Sequence, residues 1–201
     1  MHNPAHPQFP IHSLLQERWS PRAFSEKPVE KNILQSLMEA ARWASSCFNE
    51  QPWSFLVATI QEKEEHGKML SCLAEANQSW AKKAPVLMIT IAKLHFAHNG
   101  TSNRHAFHDV GLAVGNLVVQ ATALGLGVHQ MAGITPEIAK SLYNIPDNYE
   151  ALTALAIGYI GDPQSLPAVF RERELAERTR HPLSEFVFST QWGQSAAVVR
   201  E

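Results

Sequence analysis

Cysteine is scarce in this sequence, and its scarcity excludes several classes of protein. Cys47 and Cys72 are the only two cysteines in 201 residues. Two thiols cannot build a disulfide framework, and they do not complete a zinc site alone. The first twelve residues lack a basic segment followed by an apolar one, so no signal peptide is predicted. These features are typical of a protein in the reducing cytoplasm.

Excess charge and long apolar runs are also missing. The formal net charge is -2, and no basic run marks a surface for nucleic acid or an anionic membrane. The most apolar stretch, residues 110–126, is interrupted by Gly115, Asn116 and Gln120. It therefore predicts a buried helix rather than a membrane span. No nucleic-acid or membrane partner is expected.

The common catalytic and nucleotide-binding motifs do not occur. The sequence contains no GxGxxG, GxxxxGK[ST], GxSxG or HExxH pattern. Nothing points to a nucleophilic triad or to a zinc hydrolase. What remains is a set of loops rich in arginine, amide and small residues, which suits a protein that holds a cofactor.

Hydrophobic periodicity predicts a single α+β domain over residues 13–201, preceded by a flexible arm over residues 1–12 that contains three prolines. Short β-branched and apolar runs predict strands, and three- and four-residue spacing predicts helices. The expected strands are residues 53–60, 85–92 and 151–160, and the two main helices are residues 61–76 and 104–126.

Two arginine pairs lie near opposite ends of the domain. Arg18, Ser20 and Arg22 project to one side of an extended segment, and Arg178 and Arg180 do the same. Guanidinium groups suit phosphate because their fixed fork donates charge-assisted hydrogen bonds. The pairs therefore indicate an anion site, and solvated surface turns are the alternative.

Five blocks in register carry a resemblance to a known family. RWSPRAF, ASSCFNEQPW, NQSWAKKAPVLM, DVGLAVGNLVVQATALGLG and RTRHPL occur in the order seen in the nitroreductase family of flavin mononucleotide (FMN) enzymes. The likeness runs from about residue 13 to about residue 188. It implies a nitroreductase-like mixed α/β sandwich, with a central, mainly antiparallel sheet flanked by helices, in an intertwined homodimer.

The resemblance also implies which residues meet the FMN phosphate. Arg18, Trp19 and Ser20 look like the family's N-terminal FMN loop, with Arg18 and Ser20 at the phosphate side. Arg178 and Arg180 are similar to the C-terminal phosphate-binding pair.

Further positions match those around the flavin ring. Arg22 resembles the cation beside N1 and O2, where it stabilises the charge of reduced flavin, and Asn77 resembles an amide at the pyrimidine edge. A main-chain N–H after the long helix faces N5 in the family, in a stretch that corresponds here to Gln130, Met131, Ala132 and Gly133. Ser45, Ser46 and Asn49 resemble a loop that reaches the FMN of the other subunit.

These likenesses imply a ping-pong oxidoreductase. NAD(P)H reduces FMN and leaves, and a nitroaromatic, quinone or related small electrophile is then reduced in the same place. No side chain acts as a nucleophile or general base, because the flavin carries the chemistry. The alternative is a flavin- or metal-binding protein with little turnover, in which the ligands are His95, His98, His105 and His108.

Overall fold

The computed structural model describes residues 3–200. Residues 1 and 2 of the predicted arm and residue 201 of the predicted domain lie outside this range. The described residues form four strands and seven α-helices. The strands are β1 (Trp53–Thr59), β2 (Val86–Lys93), β3 (Leu126–Met131) and β4 (Tyr149–Tyr159). The helices are α1 (Ser13–Glu17), α2 (Lys31–Arg42), α3 (Lys63–Ser71), α4 (Glu75–Ala81), α5 (Ala106–Ala123), α6 (Pro136–Tyr143) and α7 (Ala168–Leu175).

The strands form one sheet in the order β1-β2-β4-β3. All three pairings are antiparallel, and a register shift occurs between Thr90 and Ile91 of β2. Seven of the eight β2 residues are buried, as expected for a central strand covered on both faces. The α+β class and the antiparallel sheet that the sequence predicted are confirmed.

Helices cover both faces of the sheet. The side chains of β2 alternate: Leu87, Ile89 and Ile91 join one apolar cluster, while Val86 and Met88 join the other. The first cluster packs against α3, α4 and α6, and the second packs against α2 and α5. This period of two explains why a continuous apolar run was required in β2.

Two predicted elements differ from the structure. The helix expected over residues 61–76 is divided into α3 and α4, because the backbone at Cys72 and Ala74 hydrogen-bonds to Thr135 and Gly133. Residues 126–131, where the sequence analysis predicted no strand, form edge strand β3 against β4. Both differences bring the segment after β3 beside α4.

The arm contacts the domain in the described residues. The Ala5 N–H donates to the Gln16 carbonyl at 2.7 Å, and Asn3 Nδ2 donates to the Ala176 carbonyl at 3.2 Å. The arm therefore lies against α1 and the segment that follows α7. Within residues 3–200, no helix combines the length and apolarity needed to cross a membrane.

Candidate functional site

Three guanidinium groups from the two ends of the chain lie close together. Arg18 follows α1, and Arg178 and Arg180 follow α7. Burial and then repulsion from Arg178 and Arg180 lower the pKa of Arg18 below its usual value. The pKa of Arg178 is lowered by burial and by Arg180. Arg18 of the N-terminal pair thus lies with both members of the C-terminal pair, whereas Arg22 does not line the same pocket.

Internal hydrogen bonds fix two members of this arginine cluster. Arg178 Nη1 donates to the carbonyls of Asn3 at 2.9 Å and Gln16 at 3.2 Å. Arg18 Nη1 donates to Ser20 Oγ at 3.2 Å, as expected from their alternate positions. These bonds orient the guanidinium groups without neutralising them, since their acceptors carry no formal charge.

The arginine cluster has no carboxylate to balance it. Among residues 3–200, no Asp or Glu oxygen lies within 4.0 Å of a guanidinium nitrogen of these three arginines. They line a pocket of about 670 Å³, together with arm residues and with Leu183 and Phe186. Three unbalanced cations in a partly apolar pocket are suited to a dianion such as a phosphate monoester.

A second group lies beside the arginine cluster, where the chain runs from Ser20 to Arg22. His129 of β3 donates from Nδ1 to the carbonyls of Ser20 at 3.0 Å and Pro21 at 3.1 Å. Its ring packs on Trp80, with centroids 4.6 Å apart. Burial and then the charge of Arg22 lower the pKa of His129 to about 4, so the imidazole is neutral at pH 7.

Arg22 is held by a residue that the sequence interpretation did not single out. Both carboxylate oxygens of Glu174 accept from the Arg22 N–H at 2.9 Å, and Oε1 also accepts from the Ala23 N–H at 3.0 Å. Arg22 Nη1 lies 4.0 Å from Glu174 Oε2. Glu174 stands in the charged run RERELAERTR, where no pattern separates it from an exposed acid.

Asn77 and Gly133 meet where α4 faces the segment after β3. Asn77 Nδ2 donates to the Gly133 carbonyl at 3.1 Å, so this donor has an internal partner. A Cβ on Gly133 would lie 2.7 Å from Asn77 Nδ2, which explains the glycine by close packing. Gln130 and Ala132 are exposed at the same end of β3. Their roles toward a flavin stay predictions.

Two of the predicted site residues have buried side chains. Trp19 is 8% exposed, and Met131 is 3% exposed within the apolar core. Only their main chains remain for a ligand. Their polar neighbours in the sequence are partly or fully exposed: Arg18 and Ser20 beside Trp19, and Gln130 before Met131.

Ser45, Ser46 and Asn49 lie in a different part of the chain, after α2. No hydrogen bond or ion pair within residues 3–200 joins them to the arginine cluster. Ser45 and Ser46 instead line a pocket of about 230 Å³ with residues from the start of α5. The Cys47 N–H donates to Asp109 Oδ2 at 2.9 Å and ties this loop to α5.

The four histidines of the metal alternative are not brought together. His98 Nδ1 lies 3.8 Å from Glu50 Oε2, whereas His108 Nδ1 lies 3.2 Å from Asp109 Oδ1 on α5. Within residues 3–200 no three side chains of His, Cys, Asp or Glu are grouped to hold a metal ion. The geometry gives the metal alternative no support.

Fold and site together define a class: an α+β protein in which three arginines from the two ends of the chain line one pocket. Comparison with known proteins agrees. The sequence model of the nitroreductase family matches residues 15–159. A solved structure of an oxidoreductase containing FMN is 34% identical, with a TM-score of 0.89 over 94% of this chain and 96% of that chain.

Two further relatives extend the comparison. The FMN reductase (NAD(P)H) of Bacillus subtilis strain 168 is 30% identical over 169 residues, which are 76% of this chain and 66% of the relative. A nitroreductase family protein from Clostridium difficile 630 is 28% identical, with a TM-score of 0.68 over 89% of this chain and 96% of that one. The chain belongs to the nitroreductase family, which confirms the family that the sequence predicted.

Proposed function

We propose that this protein is an FMN-dependent oxidoreductase that takes electrons from NADH or NADPH. It passes them, in a ping-pong order, to nitroaromatics, quinones or related small electrophiles. It works as a homodimer, and its two reduced cysteines are compatible with the cytoplasm. The FMN named for two relatives, the oxidoreductase of known structure and the Bacillus subtilis FMN reductase, supports the choice of cofactor.

The arginine cluster carries this proposal. Arg18, Arg178 and Arg180 present three cations without a carboxylate, and the phosphate of FMN carries close to two negative charges at pH 7. The chain's own residues thus fit the phosphate end of the cofactor. Ser20, bonded to Arg18 at 3.2 Å, supplies a hydroxyl at the same place.

The next residues fit the flavin ring. Arg22 would stand at the pyrimidine edge, where its positive charge stabilises negative charge that develops on reduction. Asn77 Nδ2 gives one N–H to the Gly133 carbonyl, so the amide oxygen and the second N–H of Asn77 are left to meet the ring edge. A main-chain N–H at Ala132 or Gly133 would face N5.

The proposed cofactor removes the need for an acid–base pair of side chains. Bound FMN supplies a two-electron carrier, so the nicotinamide and the acceptor react one after the other over the same ring. The protein's tasks are then to anchor the phosphate, to place a cation and to exclude a competing molecule. No triad or metal is needed for these tasks.

A homodimer would complete the site. Within residues 3–200, the loop with Ser45, Ser46 and Asn49 makes no hydrogen bond or ion pair with the arginine cluster of its own chain, and Phe48 in this loop is 81% exposed. Phe107 on α5 is 50% exposed. Exposed large apolar side chains on this loop and at the start of α5 support an interaction surface there, and a second copy would carry this loop to the first copy's flavin.

The test is anaerobic reduction of the purified protein. We expect a yellow preparation with flavin absorption that is bleached by NADH or NADPH and restored by a panel of nitroaromatics and quinones. Parallel lines in double-reciprocal plots of the initial rate, at varied donor and acceptor concentrations, would support the ping-pong order. A colourless protein that does not bind added FMN would refute the proposal, and zinc or copper retained after dialysis would favour the metal alternative.

A further inference from the structure

Glu174 is a buried carboxylate that the proposed chemistry does not use. Its side chain is 0% exposed, and it enters the site from α7, four residues before Arg178. Burying a carboxylate is costly unless hydrogen bonds and an opposite charge compensate for the lost water. What Glu174 contacts therefore indicates what it does.

All its hydrogen bonds go to one short stretch of main chain. The N–H groups of Arg22 and Ala23 both donate to Oε1, at 2.9 Å and 3.0 Å, and the Arg22 N–H is shared with Oε2. The ionic partner is the side chain of the same Arg22, with Nη1 at 4.0 Å. Glu174 thus acts on both the backbone and the charge of a single residue.

Neighbouring charged groups shift the pKa of Arg22 in opposite directions. Burial lowers the pKa of Arg22, Glu174 raises it, and Arg173 lowers it again. His129 is near Arg22 but neutral, because its pKa is about 4. Glu174 is the one carboxylate within 4.0 Å of the Arg22 guanidinium among the described residues.

We propose that Glu174 is a positioning residue that holds Arg22 toward the flavin and moderates the positive charge that Arg22 presents there. This rests on the proposed function, because it takes Arg22 as the cation at the pyrimidine edge. Glu174 sets the reduction potential of the bound flavin by limiting how strongly the reduced, negatively charged form is stabilised.

Glu174→Gln separates the charge from the backbone contacts. Oε1 accepts both N–H groups, so a glutamine carbonyl oxygen in that position keeps these two bonds, while the second contact of the Arg22 N–H with Oε2 and the negative charge are lost. The Arg22 charge then acts on the flavin unopposed. We expect the ratio of reduced to oxidised flavin at a fixed potential to rise at least tenfold, a shift of about 30 mV for a two-electron couple.

The matched control is Glu172→Gln. Glu172 is exposed on the same helix, and its replacement makes the same change in net charge. We expect its flavin ratio to stay within twofold of wild type. An equal shift in both variants would assign the effect to net charge and overturn the role of Glu174.

A double variant tests whether Glu174 acts through Arg22. In an Arg22→Gln background, the added Glu174→Gln change is expected to move the flavin ratio less than threefold. A tenfold shift that persists without the Arg22 guanidinium would show a direct effect on the flavin and reject the positioning role.

Glu174→Asp keeps the test open if the glutamine variant does not fold. Its carboxylate is withdrawn by one methylene, so we expect an upward shift in the flavin ratio between twofold and tenfold. A shift below twofold would overturn the proposal. A protein that binds no FMN ends the proposed function first, whereas a yellow, NAD(P)H-reducible protein with an unchanged potential in Glu174→Gln rejects only this inference.

Discussion

The arginine cluster and the loop after α2 are built in opposite ways. The cluster draws on both ends of the chain, and Arg178 is fixed by bonds to Asn3 and Gln16. The loop turns on itself, with positive φ at Phe48 (53°), Asn49 (55°) and Gln51 (51°). The cluster is thus assembled from distant parts of one chain, whereas the loop is held by local bonds and exposes Phe48.

The backbone conformation of this loop is unfavourable. Left-handed φ is unfavourable for residues other than glycine by about 1–2 kcal/mol each. Short local bonds hold the turn: the Gln51 N–H donates to Ser46 Oγ at 3.0 Å, and Gln51 Nε2 donates to the Asn49 carbonyl at 3.1 Å. The turn is strained and exposed, and local hydrogen bonds hold it. We therefore infer that it contacts the second copy in the proposed dimer.

Phe48→Asp gives the largest expected effect. If the loop lies in a dimer interface, a carboxylate replaces an apolar contact there, and burying an unpaired charge costs several kcal/mol. We expect a dimer in the wild type and a monomer in the variant at low micromolar concentration, measured by sedimentation velocity.

The control for Phe48→Asp is Lys63→Asp. Lys63 begins α3 on an exposed, charged surface, so this variant also adds negative charge. It is expected to remain dimeric. If the Phe48→Asp protein stays dimeric, this loop does not lie in the dimer interface.

The next prediction concerns His129, which is buried and lies close to the positive charge of Arg22. Its folded pKa is about 4 against a usual 6.5, so the unfolded chain binds more protons between these values. Stability is therefore full above pH 6.5 and is lost as the pH falls toward 4. This amounts to about 3 kcal/mol, measured by urea unfolding of the FMN-free protein.

His129→Gln is expected to flatten this dependence, because glutamine can still donate to the Ser20 and Pro21 carbonyls but does not titrate. His6→Gln serves as the control, since His6 is exposed on the arm. We expect it to retain the wild-type slope. Equal slopes in all three proteins would show that His129 is not held neutral by burial and Arg22.

The sequence predicted the arginine cluster because the signal is local. Alternating arginines in irregular segments are visible without a structure, and family resemblance joins the two segments. Strand β2 and helix α5 were also predictable, since each has one strong periodicity over most of its length. Their observed ends differ from the expected ones by at most three residues.

Features that depend on long-range contacts were not predictable. β3 was missed because Gly127 interrupts its apolar pattern, and the glycine is explained by Pro21, 2.4 Å from where a Cβ would lie. The break between α3 and α4 comes from backbone bonds to residues 133 and 135. Glu174 depends on main-chain donors 151 and 152 positions away.

Arg18→Ala tests the arginine cluster directly, and its expected effect is the smallest of these predictions. Removing one charge-assisted contact to phosphate costs about 1.5–3 kcal/mol, which weakens FMN binding roughly 10- to 150-fold. Binding is measured by flavin fluorescence quenching. Riboflavin, which lacks the phosphate, is expected to bind wild type and variant equally.

Arg171→Ala is the matched control, because Arg171 bonds to Gln164 on the surface and is expected to leave FMN affinity unchanged. Arg178→Ala adds a contrast: its guanidinium also holds the Asn3 and Gln16 carbonyls, so stability should fall together with affinity. Arg18 makes no such main-chain bond in the described residues, so its loss should spare the fold. If Arg18→Ala weakened riboflavin and FMN alike, the cluster would be supporting the structure rather than binding phosphate.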